Sequence, residues 1–353
     1  MVKKVYLGDV PVGDGCPAVF MAEIGLYFNQ DMGEARDTVE RLKEYKVPVI
    51  KGEVLHDVEV ALDDGFVLQY ETASGIKAEP YRDMCARKVQ PLDIWRKLYR
   101  LCSDANIPFV VSAYDMKTID FLVDIGAAAV KISSTNLSHI PLIRHAGKSG
   151  LPVYLDSGKC DFADVAQAVR ALQESGCEEF ILNHNPDGHP APPEDHNLRI
   201  IESYTRMFDC PVGLSCHYVG PEILYAAVGA GYHILEKPVI PDLTVEEWGT
   251  PWAMDLNDVP VVMAKVQDCS LARGNTFRTK RYVDSDHAGR MGIVAKVDLK
   301  PGDTFQLENV HFAFPNRGIV SRDFDRICGV RVAKELKAGE PVTWEHVGLV
   351  TSS

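Results

Sequence analysis

Four times in this chain a proline opens a short apolar run that ends on polar or charged residues. The runs are VPVIKGE at Val47 to Glu53, IPFVVSAYD at Ile107 to Asp115, LPVYLDSGK at Leu151 to Lys159 and CPVGLSCH at Cys210 to His217. A run that is apolar at every position, rather than at alternate ones, suits a parallel strand buried on both faces. Proline is tolerated where such a strand begins. Similar runs without the proline lie at Ala18 to Ile24, Ala128 to Ile132, Glu179 to Asn183 and Tyr232 to Lys237, so eight strands are predicted.

Between them lie segments with helical apolar spacing, including Asp31 to Tyr45, Leu92 to Asn106, Thr118 to Ile125, Phe162 to Ser175, Asn197 to Phe208 and Pro221 to Gly229. Gly126, Gly150, Gly176 and Gly231 are placed to end helices on a left-handed residue. Strand and helix alternating eight times over some 250 residues predict an α/β fold, a (β/α)8 or TIM barrel, with a doubly wound sheet as the competing topology. The polar stretch from His56 to Lys88 is predicted as an extended loop after the second strand, and loops of this length at that end of a barrel serve binding.

Beyond about Arg273 the texture changes to short strand-like pieces with turns, and the chain repeats itself. VAKVDLKPGDTFQLENV at Val294 to Val310 is similar to VAKELKAGEPVTWEHV at Val332 to Val347. The pair predicts a compact β-rich unit with internal twofold symmetry. At 353 residues the chain exceeds the size at which one core stops growing, which agrees with two domains, 1–275 and 276–353.

The net charge of −13 argues against a nucleic-acid partner and leaves a small molecule as the expected ligand. No apolar run reaches the roughly 18 residues a membrane span needs, so no membrane partner is expected. The first residues, MVKKVYLGDV, carry two lysines with no apolar stretch behind them, and a cytoplasmic location is predicted. Nine cysteines without a CxxC spacing read as reduced thiols.

In a barrel of this kind chemistry gathers where strands end. The polar residues at those ends are Glu23, Lys51 with Glu53, Ser112, Lys131 with Ser133 and Ser134, Asp156 with Ser157, Asn183 with His184, Ser215 with His217, and Glu236 with Lys237. Two lysines and several hydroxyls around one mouth suit a phosphorylated or carboxylated anion, with Lys51 and Lys131 as its cations. Burial depresses a lysine pKa, so Lys131 also suits a Schiff-base nucleophile. His217, with His184 and His189, suits a divalent metal, although a histidine in such a loop serves equally well as a hydrogen-bonding residue.

Taken in order, these residues resemble the N-acetylneuraminate (sialic acid) synthase family, which joins a TIM barrel to a small antifreeze-like (SAF) domain. The resemblance runs from about Ala18 to Val350. It rests on AEIG at Ala22 to Gly25, Lys51, VKISS at Val130 to Ser134, DSGK at Asp156 to Lys159, GLSCHYVG at Gly213 to Gly220, ILEKP at Ile234 to Pro238, the two VAK repeats, and NRGI at Asn316 to Ile319. It implies an enzyme that condenses phosphoenolpyruvate with an aldehyde sugar to give a nonulosonic-type keto acid and phosphate. Lys51, Ser112, Lys131, Ser134 and Ser215 would hold phosphoenolpyruvate, with Ser157 and Asn183 beside them. Glu23 would be the acid, base or orienting carboxylate, and Glu53 and Asp255 would contact the sugar. His217, with His184 and Glu236, would hold a divalent metal, manganese or magnesium. Arg317 would reach over the barrel of the partner chain in a domain-swapped homodimer.

The chain departs from the family pattern at several positions. Tyr27, Phe28, Asn29 and Gln30 replace its Asn-His-Asn-Gly, Glu53 replaces a glutamine, Asp156 a serine, Cys216 an aspartate, and Pro238 the second histidine ligand. Proline cannot bind a metal, and an added carboxylate repels a phosphate. A Schiff-base aldolase using Lys131, and a non-catalytic homologue that binds a sugar acid, are the alternative readings.

Overall fold

The computed structural model describes residues 2–25, 28, 30–72, 74–277 and 289–349; Tyr27 and Asn29 of the departing segment lie outside them. Eight parallel strands form a closed ring: β1 Val19–Gly25, β2 Val49–Glu53, β3 Phe109–Ser112, β4 Ala129–Ile132, β5 Val153–Asp156, β6 Phe180–His184, β7 Val212–Ser215 and β8 Ile234–Ile240. Each pairs with its neighbours in sequence, and β8 returns to pair with β1. All eight predicted strands are present, and the ring is a TIM barrel rather than an open sheet.

The prolines sit one residue ahead of the strands, where a missing N–H costs no ladder bond. Their carbonyls still join the ladder: those of Pro108, Pro152 and Pro211 accept from Ile50, Val130 and Leu182, each at 3.0 Å. Helices follow the strands, among them α1 Met32–Glu44, and the ones after β3 and β7 end on Gly126 and Gly231 with φ of 76° and 107°. Among the described residues, no helix is long and apolar enough to cross a membrane.

Inside the ring, side chains alternate between two directions, as strand geometry requires. Met21, Val49, Val110, Ala129, Tyr154, Ile181 and Ile234 point inward and form one buried cluster with Val5, Leu7 and Val12 of an N-terminal hairpin, which closes that end of the barrel. Gly213 has no side chain at this level because a Cβ there would collide with the Tyr154 hydroxyl and the Asn183 side-chain oxygen.

The stretch from His56 to Lys88 is not an extended loop. It folds into a short 3-10 turn, a hairpin of Val67–Thr72 with Gly75–Pro80, and helix Tyr81–Lys88. Leu55, Ala61, Tyr70, Met84 and Cys85 give it a small core of its own.

The chain divides into two compact units, Met1–Gly274 and Asn275–Ser353. The second is built on strands Gly292–Ala295 and Val310–Ala313, which pair antiparallel over a core that includes Ile293, Leu299, Phe305, Leu336 and Val342. Its two repeats face each other. Leu299 and Leu336 exchange both backbone hydrogen bonds, at 2.8 and 3.0 Å. The Asp303 carboxylate accepts from Lys300 N–H at 2.7 Å, and Glu340 does the same for Lys337, also at 2.7 Å.

Candidate functional site

Two residues beyond the inward apolar layer, strand alternation aims the next layer into the same interior. Counting from Met21, Val49, Val110, Ala129, Tyr154, Ile181, Gly213 and Ile234 gives Glu23, Lys51, Ser112, Lys131, Asp156, Asn183, Ser215 and Glu236. Every one of them is buried, none more than 7% exposed. Eight of the residues singled out above therefore stand in one ring at the C-terminal end of the strands.

The ring is an ion network. Lys131 Nζ lies 2.7 and 2.6 Å from the two oxygens of Glu236 and 3.0 Å from Asp156. Lys51 donates to Glu23 and lies 3.6 Å from Glu236. Burial opposes the charge of both lysines, but Glu23, Glu53 and Glu236 outweigh it at Lys51, as Asp156 and Glu236 do at Lys131, so both pKa values rise. Burial also opposes the Glu236 carboxylate, yet Lys131 and Lys51 hold its pKa below the usual value. At Glu23 burial prevails over the attraction of Lys51 and pushes the carboxyl up to about 7.

Several polar atoms in this ring and at His217 have no partner. Ser112 Oγ, Asp156 Oδ1, Asn183 Nδ2 and His217 Nδ1 are buried and make no hydrogen bond. Such atoms are rare in folded proteins and mark places where a ligand or water completes the bonding. Asn185, which the sequence reading did not single out, donates to Asp156 at 3.1 Å while its own Oδ1 is unpartnered. Tyr154 was also missed: its hydroxyl donates to Asn183 at 2.7 Å and its ring lies 5.5 Å from Lys131 Nζ.

Other singled-out residues lie elsewhere. Ser157 and His184 follow inward-facing residues by one position and so point outward. The Ser157 hydroxyl donates to the Asn183 carbonyl at 2.8 Å and accepts from Tyr204 at 2.9 Å. His184 Nε2 is 2.6 Å from the His196 carbonyl. Lys237 likewise points outward and donates to the Tyr218 carbonyl. Asp255 lines a cavity of about 280 Å³ on that outer side together with Lys237, and its carboxylate accepts from Asn257 N–H at 2.7 Å. Ser134 begins a 3-10 turn after β4 and packs close to Gly158. Glu53 ends β2 and accepts from Tyr114, another residue not foreseen. Arg317 is exposed on a turn of the second unit, between the buried Asn316 and Gly318, whose backbone lies against the Val342 carbonyl.

The residues expected to hold a metal do not gather. Both Glu236 oxygens are taken by Lys131, and His184 faces the helix layer. His217 stacks on His189 with ring centroids 4.2 Å apart, and both lie against Trp252. Burial, then His189 and Lys131, drive its pKa well below the usual value, so the ring is neutral. No group of three His, Cys, Asp or Glu that could hold a metal ion exists among the described residues. Among the described residues, this donor set does not fit a divalent metal held tightly by side chains alone.

Known proteins match along nearly the whole chain. N,N'-diacetyllegionaminic acid synthase of Legionella pneumophila is 24% identical, covering 96% of this chain and 97% of that protein. Mouse N-acetylneuraminate-9-phosphate synthase is 24% identical over 95% of this chain and 94% of its own. The uncharacterized protein MJ1065 of Methanocaldococcus jannaschii is 26% identical over 98% and 99%. Among solved structures, the sialic acid synthetase of Leptospira borgpetersenii superposes with a TM-score of 0.73 at 22% identity, over 81% of this chain and 95% of that one. The SAF domain pattern matches residues 290–348. The NeuB family pattern matches residues 38–278, most of the chain, and the chain belongs to the NeuB family.

Proposed function

We propose that this protein is an enzyme that condenses phosphoenolpyruvate with an aldehyde sugar, or a related carbonyl acceptor, to give a nonulosonic-type keto acid and phosphate. Family membership and the names of its relatives support a synthase of this kind. The observation that carries the reading to this chain is the buried ring itself, where Lys51 and Lys131 stand beside the unpartnered Ser112 Oγ, Asn183 Nδ2 and His217 Nδ1. Fixed cations and unsatisfied hydrogen-bonding groups in a dry site suit a phosphate and a carboxylate.

In the reaction, C3 of phosphoenolpyruvate forms a bond to the aldehyde carbon, and the aldehyde oxygen takes up a proton. Water adds at C2 and the C–O bond to phosphate breaks. Glu23, with its pKa near 7, is suited to supply that first proton at neutral pH. Two lysines here face the three carboxylates of Glu23, Asp156 and Glu236, so a protonated Glu23 also relieves the repulsion an incoming anion meets. No step is assigned to a metal, because the donor set does not fit one.

Arg317, together with the rest of the second unit, is proposed to complete the site of a partner chain in a homodimer. Its guanidinium is exposed on a turn pinned by its neighbours, and it offers a fork of donors to a carboxylate or polyol. The Schiff-base reading is disfavoured because two carboxylates hold Lys131 in its charged, non-nucleophilic form. A non-catalytic sugar-acid binder draws support from the same saturation of the lysines by carboxylates.

A phosphate-release assay with phosphoenolpyruvate and a panel of aldoses, with and without manganese, tests the reading. Release that requires both substrates is expected; no release with any aldose overturns it.

A further inference from the structure

The segment after β2 has a small core of its own. Trp248, from the stretch that follows β8, packs against its small core. Between them lies a cavity of about 100 Å³ walled by Leu55, Val60, Met84, Tyr81 and Trp248, and it ends on Glu53 and Tyr114. Glu53 is two residues beyond Lys51 on the same strand and so on the same face, and its charge acts on both Lys51 and Glu23. The cavity therefore opens beside the buried ion network.

A second cavity, of about 400 Å³, adjoins it. Its walls carry the charged or polar Gln30, Arg87, Asp242, Glu247 and Thr250 alongside the apolar Ile240, Pro241 and Val245. Lys88 lines both cavities, is itself buried, and pairs with Glu247 at 3.4 Å. Lys88 is thus a wall common to a chamber rich in charged side chains and a mainly apolar one, and the apolar one reaches Glu53.

We propose that the apolar cavity is a specificity subsite for an apolar substituent, larger than a methyl group, on the carbonyl acceptor, whose hydroxylated part lies in the charged chamber. The proposal rests on the reading of the protein as a synthase that takes such an acceptor. The size of the cavity sets the substituent: an apolar cavity of about 150 Å³ takes benzene, so one of about 100 Å³ takes a chain of three or four carbons. The walls set its chemistry, since a hydroxyl placed against Leu55 and Met84 would be buried without a partner. Glu53, already accepting from Tyr114, offers its remaining lone pairs to an N–H at the root of the substituent.

The test has two arms. In the first, phosphate release is followed with phosphoenolpyruvate and 2-acylamino-aldoses whose acyl chains run from two to six carbons. Each methylene that enters an apolar site raises affinity about three- to fourfold. In the wild type kcat/KM is expected to rise about tenfold from the two-carbon to the four-carbon chain and then to level off. Val60→Phe at the rim and Met84→Trp in the wall are each expected to cut that ratio below about threefold, and Val60, being exposed, makes the first variant safe for folding.

The second arm needs no turnover: N-butylacetamide and N-methylacetamide are titrated by ligand-observed NMR. Tighter binding of the butyl probe in the wild type, lost in Val60→Phe, is expected. A flat acyl series, or a butyl preference that survives both variants, overturns the subsite. If the butyl probe binds as expected while no acceptor supports phosphate release, the subsite stands and the synthase reading falls.

Discussion

The ammonium of Lys131 is held by both oxygens of Glu236, at 2.7 and 2.6 Å, across the barrel interior. The two residues sit four strands apart in the ring, so the pair ties opposite walls of the barrel together as well as fixing charge at its mouth.

Lys131→Met should therefore act on fold and function at once. It leaves Asp156 buried without its cation and Glu236 with only Lys51, 3.6 Å away, and breaking one side of a buried pair costs about 3–5 kcal/mol. Urea denaturation should show a loss of that size, and phosphoenolpyruvate-dependent phosphate release should vanish. Borohydride in the presence of a carbonyl substrate should leave Lys131 unmodified; a trapped adduct there would mean that the Schiff-base reading is the right one.

Glu23 makes stability fall as pH rises. Its carboxyl titrates near 7 in the folded chain against 4.5 for the ordinary group, so the folded state binds the extra proton between those values. The stability this contributes is fully present below about pH 4.5 and is lost as pH passes through 7, an effect on the order of 2–4 kcal/mol. Glu23→Gln should remove that slope, so the two unfolding curves should diverge between pH 5 and 8. Activity in the wild type should decline above about pH 7, where the acid is lost. Parallel stability profiles for the two proteins would rule out the raised pKa.

Metal should be weakly held. Dialysis against a chelator should leave protein without stoichiometric metal by elemental analysis, with a melting temperature unchanged to within about 1 °C. Retention of one equivalent through prolonged chelation would show that His217 finds ligands beyond those described.

Gly213→Ala should disturb the network from below. The added methyl collides with the Tyr154 hydroxyl and the Asn183 oxygen, and overpacking of this kind costs about 1–3 kcal/mol. Because Tyr154 and Asn183 bond each other at the edge of the ring, activity should fall together with stability. Full activity in a destabilised Gly213→Ala would separate Asn183 from the reaction.

Arg317→Ala should lose activity with its fold intact. If the second unit serves a partner chain, mixing Arg317→Ala with Lys131→Ala subunits should restore part of the activity, since one composite site in the mixed dimer is then whole. Mixtures that exchange subunits and stay inactive would confine each site to a single chain.

The strands were legible because their signal is local. An apolar run after a proline, closed by a polar residue, needs no knowledge of its neighbours to be read. Which strand-end residues face the interior was only half legible, since the two-residue period was in the sequence but its phase was set by the packed ring. Asp156 and Asn183 fall on one phase, whereas Ser157 and His184, one position later, fall on the other and bond the outer layer instead. The segment from His56 to Lys88 hid its hairpin for a different reason. Its core residues are few and far apart, and polar positions dominate the stretch between them. Tyr114 and Trp248 gave no signal, because each matters only through a partner distant in sequence.

The reciprocal bonds between Leu299 and Leu336 make each repeat of the second unit depend on the other for its fold. Each repeat places a backbone donor and acceptor where only the other repeat can meet them, as two hands do in a clasp. Half of the unit, synthesised alone, would hold its turn but leave those groups facing water and its leucine without a cover. The pair, and not the single repeat, is then the smallest piece of this chain that closes the unit's core.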